Sequence, residues 1–191
     1  YDLEVIKAER ERIDNRLKNK GYFYFSPDYI LAKVDSTKGN HEVNIRLVVK
    51  DETPAKAKIP YTIDKVTIYP NFSIGKDSTG LQDDNIVKYN DFIIVDSADT
   101  FNPRIFDRTV YLKKGKLYSN KNQNLTLNRF INLGVFKFVK NEFKPSDSIP
   151  DALDVNYYLT LLPKKFVRAE FEGSVNSASY TGFNVNLNWN N

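Results

Sequence analysis

Cysteine is absent from the 191 residues, which excludes a disulfide scaffold, a thiolate metal site and a cysteine nucleophile while leaving the redox compartment open. Histidine occurs once; His41 lies beside Gly39 and Asn40 with no acid pair or serine around it, and reads as a turn residue. No apolar run approaches the roughly 20 residues that a membrane helix needs. Tyr1-Asp2-Leu3-Glu4 also lacks the charged-then-apolar pattern of an export signal. There is no phosphate loop, metal quartet or nucleophile elbow, and Asp77, Asp83 and Asp84 do not have the spacing of a calcium loop, so they read as a solvated loop. No catalytic residue, cofactor or metal is expected.

What is present is the composition of a chain that can bury a core: 41% hydrophobic and 27% charged residues. The net charge of +4 would suit an anionic partner, but Lys and Arg are scattered among Asp and Glu instead of forming one block.

Leu3, Ile6, Ile13 and Leu17 recur at helical spacing, and the helix they predict ends at Gly21 after Lys18 and Lys20, a glycine suited to a left-handed cap. Tyr22 to Phe25 and Tyr29 to Val34 read as strands, with a turn around Lys38-Gly39. The return strand carries Val43, Ile45, Leu47 and Val49 in alternation with polar residues. Asp51 to Lys58, with Pro54, reads as a linker. A strand from Tyr61 to Tyr69 stops at Pro70, and 71–99 is a long polar excursion holding a short strand at Phe92 to Val95. Asn102-Pro103 then begins a short helix, with Phe101 and Phe106 spaced as a hydrophobic staple. Leu127, Phe130 and Ile131 mark a second helix that ends at Gly134, so Gly21 and Gly134 are both expected at left-handed backbone.

An internal repeat organises this order. Arg16-Leu-Lys-Asn-Lys-Gly-Tyr-Phe-Tyr-Phe25 parallels Arg129-Phe-Ile-Asn-Leu-Gly-Val-Phe-Lys-Phe138, and Glu42-Val-Asn-Ile-Arg-Leu aligns with Asp154-Val-Asn-Tyr-Tyr-Leu. The first copy lacks the opening strand and helix of the second, so the chain is expected to start inside a domain. The last segment differs: Val167, Ala169, Phe171 and Gly173 alternate with charged residues, and Phe183, Val185, Leu187 and Trp189 alternate with asparagines. Strict period two on both arms fits a membrane β-barrel and fits a soluble amphipathic hairpin, and on pattern alone the soluble hairpin, the commoner of the two, is favoured.

The order strand, helix, helix, strand, strand, carried by Tyr61 to Ile68, Phe106 to Tyr118, Thr126 to Phe138 and Val155 to Leu159, resembles the POTRA domain of the BamA/TamA surface-antigen family. The resemblance implies an α+β fold of tandem POTRA-like β-α-α-β-β domains. Residues 1–57 would be the C-terminal part of one domain, 58–164 a complete one with a long insertion at 71–99, and 165–191 the first strands of an outer-membrane β-barrel. It further implies a non-enzymatic periplasmic module at the bacterial outer membrane. Its partners would be unfolded outer-membrane proteins, accessory periplasmic proteins or lipoproteins, and lipid through the barrel, with no nucleic acid.

Clients would pair with a sheet edge by β-augmentation. By analogy the edge is Val135 to Phe143, with Val135, Phe136, Lys137, Phe138, Val139, Lys140 and Phe143 as contact residues, and Tyr29 to Val34 in the partial copy. A proline at Lys137 or Lys140, whichever amide faces outward, would test it. Phe183, Val185, Leu187 and Trp189 would face the membrane. Two rival classes stand beside this reading: a nucleic-acid-binding protein using Phe23, Phe25, Phe136 and Phe138, and a hydrolase using Asp residues of the excursion.

Overall fold

The computed structural model describes residues 2–37, 39, 42–73, 86–96, 99–163, 166–175 and 181–190. His41, Asp77, Asp83 and Asp84 lie outside the described residues.

Helix α1 (Leu3–Lys18) starts on Asp2, whose carboxylate accepts the Glu4 N–H at 2.9 Å, the capping that Asp provides to an orphan amide. It closes as expected. Gly21 has φ +102°, the Gly21 N–H donates to Lys18 O at 3.3 Å and the Tyr22 N–H to Leu17 O at 3.2 Å, the paired bonds of a Schellman motif. The inner face differs from the predicted stripe, because Leu3 is exposed while Asp14 is buried and bonded to Lys18 Nζ at 2.9 Å.

Tyr22 to Phe25 forms no strand. The chain instead makes a 3-10 turn at Pro27–Tyr29, held by the Arg10 guanidinium on Pro27 O at 2.7 and 2.9 Å. It then enters β1 (Ile30–Asp35), antiparallel to β2 (Asn44–Val49). The expected linker is packed: Ala55–Ala57 is a 3-10 turn, and Thr53 and Ala57 are buried.

The second unit comprises β3 (Thr62–Tyr69), β4 (Ile86–Tyr89), β5 (Phe92–Val95), α2 (Arg104–Thr109), α3 (Asn120–Asn132), β6 (Phe136–Pro145) and β7 (Ala152–Leu161). They form one five-stranded sheet in the order β4-β5-β3-β7-β6, with β3 parallel to both neighbours and the two outer pairs antiparallel. The long excursion thus widens the sheet: β4 and β5 form a hairpin that adds to the outer side of β3. Buried Asp96 closes this excursion at its base, accepting the Thr100 and Phe101 amides at 2.7 and 3.1 Å and the Asn71 carboxamide.

Alternation along the strands sends Val66, Ile68, Phe92, Ile94, Val155, Tyr157 and Leu159 to one face, in a single buried cluster with Phe106 of α2 and Phe130 of α3. Full burial stabilises by roughly 1.5–3 kcal/mol per large side chain, an upper figure since unfolded chains already hide some apolar surface. Asn102 Oδ1 accepts the Arg104 N–H at 3.0 Å, and the Phe101 and Phe106 rings meet at 5.8 Å, as the staple predicts. Helix α3 begins at Ser119, whose Oγ accepts the Asn122 N–H. Its inner row is Thr126 and Phe130 and does not include Ile131, which is exposed. Thr126 can be buried because its hydroxyl donates to Asn122 O at 2.8 Å and accepts the Tyr111 N–H at 2.9 Å, leaving no bare polar atom.

The aromatic run after Gly21 joins the two units. Phe23 meets Tyr118 at 4.9 Å and Phe143 at 5.0 Å, Tyr24 meets Tyr61 at 5.1 Å, and the Tyr61 N–H donates to Gly21 O at 2.8 Å. Asn19 Oδ1 accepts the Lys121 N–H at 2.7 Å at the start of α3. Beyond β7, β8 (Phe166–Val175) and β9 (Thr181–Asn190) pair antiparallel over ten residues each.

Candidate functional site

Strand β6 lies at one end of the sheet order, and no strand pairs with its outer side among the described residues. Which backbone groups it offers follows from parity. The Ser146 N–H donates to Ala152 O at 2.9 Å, and the register from Phe138 to Pro145 runs without a shift. Amides of an antiparallel strand alternate between facing its partner and facing away. Those of Lys144, Glu142 and Lys140 therefore face β7, and those of Phe143, Asn141 and Val139 face outward. Pro145 occupies the next outward position, where a missing amide breaks no ladder bond. Of the two lysines considered from the sequence, Lys140 faces inward, and Lys137 falls at the register shift between Phe136 and Phe138.

Side chains along this edge divide by face. Val139 and Phe143 pack partly buried against the core, where Phe143 meets the Tyr118 ring at 5.5 Å. Phe136 is a core residue, touching Phe101 at 5.5 Å and Phe130 at 6.0 Å; its ring is not on offer at the surface. Lys140 and Lys144 are exposed on the helix-free face, Lys144 lying 3.6 Å from Glu142, and Lys137 covers the exposed Phe138 ring at 5.3 Å. Lysines along an open edge are a common guard against uncontrolled strand pairing.

The helix-free face holds a cluster missed in the sequence: Tyr69 and Tyr158 stack at 5.0 Å and 9°, with Phe72 at 4.9 Å. Burial raises the pKa of both tyrosines. The signal was their period-two spacing, Lys65, Thr67, Tyr69 against Asp154, Asn156, Tyr158. Partial burial also raises the Asp154 carboxyl, opposed by Lys65. Among the described residues no three His, Cys, Asp or Glu side chains gather as a metal site.

In the terminal pair, Phe171, Phe183, Val185 and Leu187 are exposed, Phe183 at 88% and Leu187 at 73%. Trp189 stands opposite Val167 in the backbone register.

A solved structure of BamA from Haemophilus ducreyi lacking POTRA domains 1–3 superposes on 98% of this chain with a TM-score of 0.56 at 13% identity. The chain has the POTRA fold. It spans 28% of the length of that BamA. Haemophilus influenzae BamA POTRA3–5 aligns over 81% of this chain and 47% of its own, with a TM-score of 0.45 at 19% identity. No family model and no curated protein matches the sequence. β3, α2, α3, β6 and β7 follow one another in the order β-α-α-β-β, and the β4–β5 hairpin is inserted between β3 and α2.

Proposed function

We propose that this chain is the membrane-proximal periplasmic part of an outer-membrane protein assembly factor, a binding module without catalytic chemistry. The domain reading is 1–57 as the end of one POTRA unit, 58–164 as a complete one and 165–191 as the first strands of the barrel. The observation that carries it is the succession itself: a POTRA-fold sheet is followed at once by paired strands of ten residues with exposed apolar side chains. Transmembrane strands need about 9–11 residues, and their apolar side chains belong in lipid, not in a core.

In this reading an unfolded outer-membrane protein, or an accessory periplasmic protein, adds a strand to β6. Main-chain bonds to Val139, Asn141 and Phe143 tolerate many client sequences, because they make no demand on side chains. Pro145 ends the row of donors on one side and the register shift at Lys137 ends it on the other, so the docked segment is short. Lys140 and Lys144 would favour acidic or polar client residues on the helix-free face.

The test is Asn141→Pro, which deletes one outward amide without touching the bonds to β7. Binding of an unfolded outer-membrane protein segment, measured by fluorescence anisotropy, should weaken about fivefold or more, the loss of one net hydrogen bond of about 1 kcal/mol. Far-UV circular dichroism should be unchanged. Unaltered affinity in a folded variant would reject β6 as the docking edge.

A further inference from the structure

Large apolar side chains of the second unit are exposed around one turn. Ile131 is 58% exposed and Phe138 50%, with Leu133 and Val135 also exposed between them. Gly134 makes this turn at φ +67°. Leu162 belongs to the same place: its N–H donates to Val135 O at 2.9 Å, and it too is exposed. Exposed apolar residues scattered singly need no explanation, whereas these five gather at the one end of the sheet where α3 closes, β6 begins and β7 leaves, with Phe138 on the helix-free side, and apolar side chains gathered in this way mark a contact surface. Two exposed cations flank it, Arg129 and Lys137.

Chain length decides what covers it. From Leu162 to Phe166, the first residue of β8, the backbone reaches at most roughly 14 Å. If β8 crosses a bilayer it must use nearly all of its ten residues to do so, since spanning takes about 9–11. Phe166 then stands at the boundary between hydrocarbon and headgroups, and the cluster lies within one short tether of it.

We infer that Ile131, Leu133, Val135, Phe138 and Leu162 form a surface that rests in the headgroup layer of the bilayer, with Arg129 and Lys137 meeting anionic headgroups. This rests on the reading of β8–β9 as membrane strands. An apolar patch with a basic border is the arrangement that binds a membrane interface without spanning it. The surface would fix the tilt of the POTRA unit over the membrane while leaving the β6 edge, which begins at Val139, open to the periplasm.

The chain has no cysteine and a single tryptophan, so the two readings can be followed separately. Leu133→Cys carries an environment-sensitive fluorophore on the cluster, Glu52→Cys carries it at an exposed position of the first unit as a control, and Trp189 reports the hairpin. The full chain is titrated with phosphatidylethanolamine–phosphatidylglycerol vesicles and with phosphatidylcholine vesicles. The label at 133 should shift to the blue and become shielded from acrylamide, more strongly on the anionic vesicles, while the label at 52 stays open. Ile131→Glu with Phe138→Glu should weaken that shielding about tenfold or more, and the Trp189 shift should persist.

A label at 133 as open to acrylamide as the label at 52, with Trp189 inserted, overturns the inference and spares the hairpin reading. Without a Trp189 shift the hairpin reading fails by itself. Shielding at 133 that rises with protein concentration in the absence of vesicles makes the cluster a protein interface, and overturns the inference as well.

Discussion

The two glycines that close α1 and α3 should respond very differently to alanine, although the repeat makes them equivalent. Gly134 has φ +67° and open space where a Cβ would go, so Gly134→Ala costs only the left-handed strain of about 1–2 kcal/mol. Gly21 has φ +102°, and its Cβ would meet Leu117 Cδ2 and Pro60 Cβ at 3.1 Å and Tyr61 O at 3.3 Å. Two of these three atoms belong to the segment that its own carbonyl holds through the Tyr61 amide, so relief requires opening the joint between the units. Crowding in a packed site adds about 1–3 kcal/mol, which with the strain puts Gly21→Ala at about 2–5 kcal/mol.

Urea unfolding followed by far-UV circular dichroism measures both, with Gly134→Asn as a near-neutral control because Asn tolerates the left-handed region. Equal losses at the two sites would refute the claim that Gly21 is held by close contact as well as by its dihedral angle. A stabilised Gly134→Ala would refute the strain argument.

Two further expectations follow from burial. Burial, reinforced by the Asp14 carboxylate, pushes the Tyr118 hydroxyl up to about 12, against about 10 in an unfolded chain. Its contribution is fully present below pH about 10 and is lost as pH rises toward about 12, since the folded state holds the proton longer. Urea midpoints should therefore fall across that window, and Tyr118→Phe should flatten the fall; an unchanged slope would contradict it. Deletion of residues after Lys165 should leave the melting temperature of the remainder nearly unchanged and improve solubility. A hairpin packed on the core would instead lose roughly 1.5–3 kcal/mol per apolar side chain removed.

Much of the second unit was legible because its strands and helices keep their periods. β3, β7, the staple at Phe101 and Phe106, and both glycine turns stand where the pattern places them. The β4–β5 hairpin was half hidden: Phe92 to Val95 reads as a strand, but its partner Ile86 to Tyr89 is embedded in an Asp-rich stretch. Asn90-Asp91 between them, with Asn90 at φ +51°, was the available turn signal. Tyr22 to Phe25 misled for a different reason. Its aromatic content suits a strand, yet the Phe23 and Tyr24 rings fill the seam between units, a contact that no local period encodes. Asp14 and Ile131 show the same limit, since which side of a helix faces inward depends on the neighbour it meets. The orientation of the β6 amides could not be read from composition at all; it depends on register, which one proline at 145 only hints at.

The added β4–β5 hairpin changes what the sheet can join. A bare β3-β7-β6 sheet would have long open edges on both sides, and the β3 side of one molecule could accept the β6 side of the next. Such head-to-tail pairing does not close on itself and grows into filaments. Among the described residues the β3 side ends in β4, a strand of only four residues, too short to nucleate a stable partner. If β6 accepts a client strand as proposed, the molecule would act as a chain terminator: the short β4 edge offers little for relaying a second strand, and a sheet that grows at one end only does not polymerise.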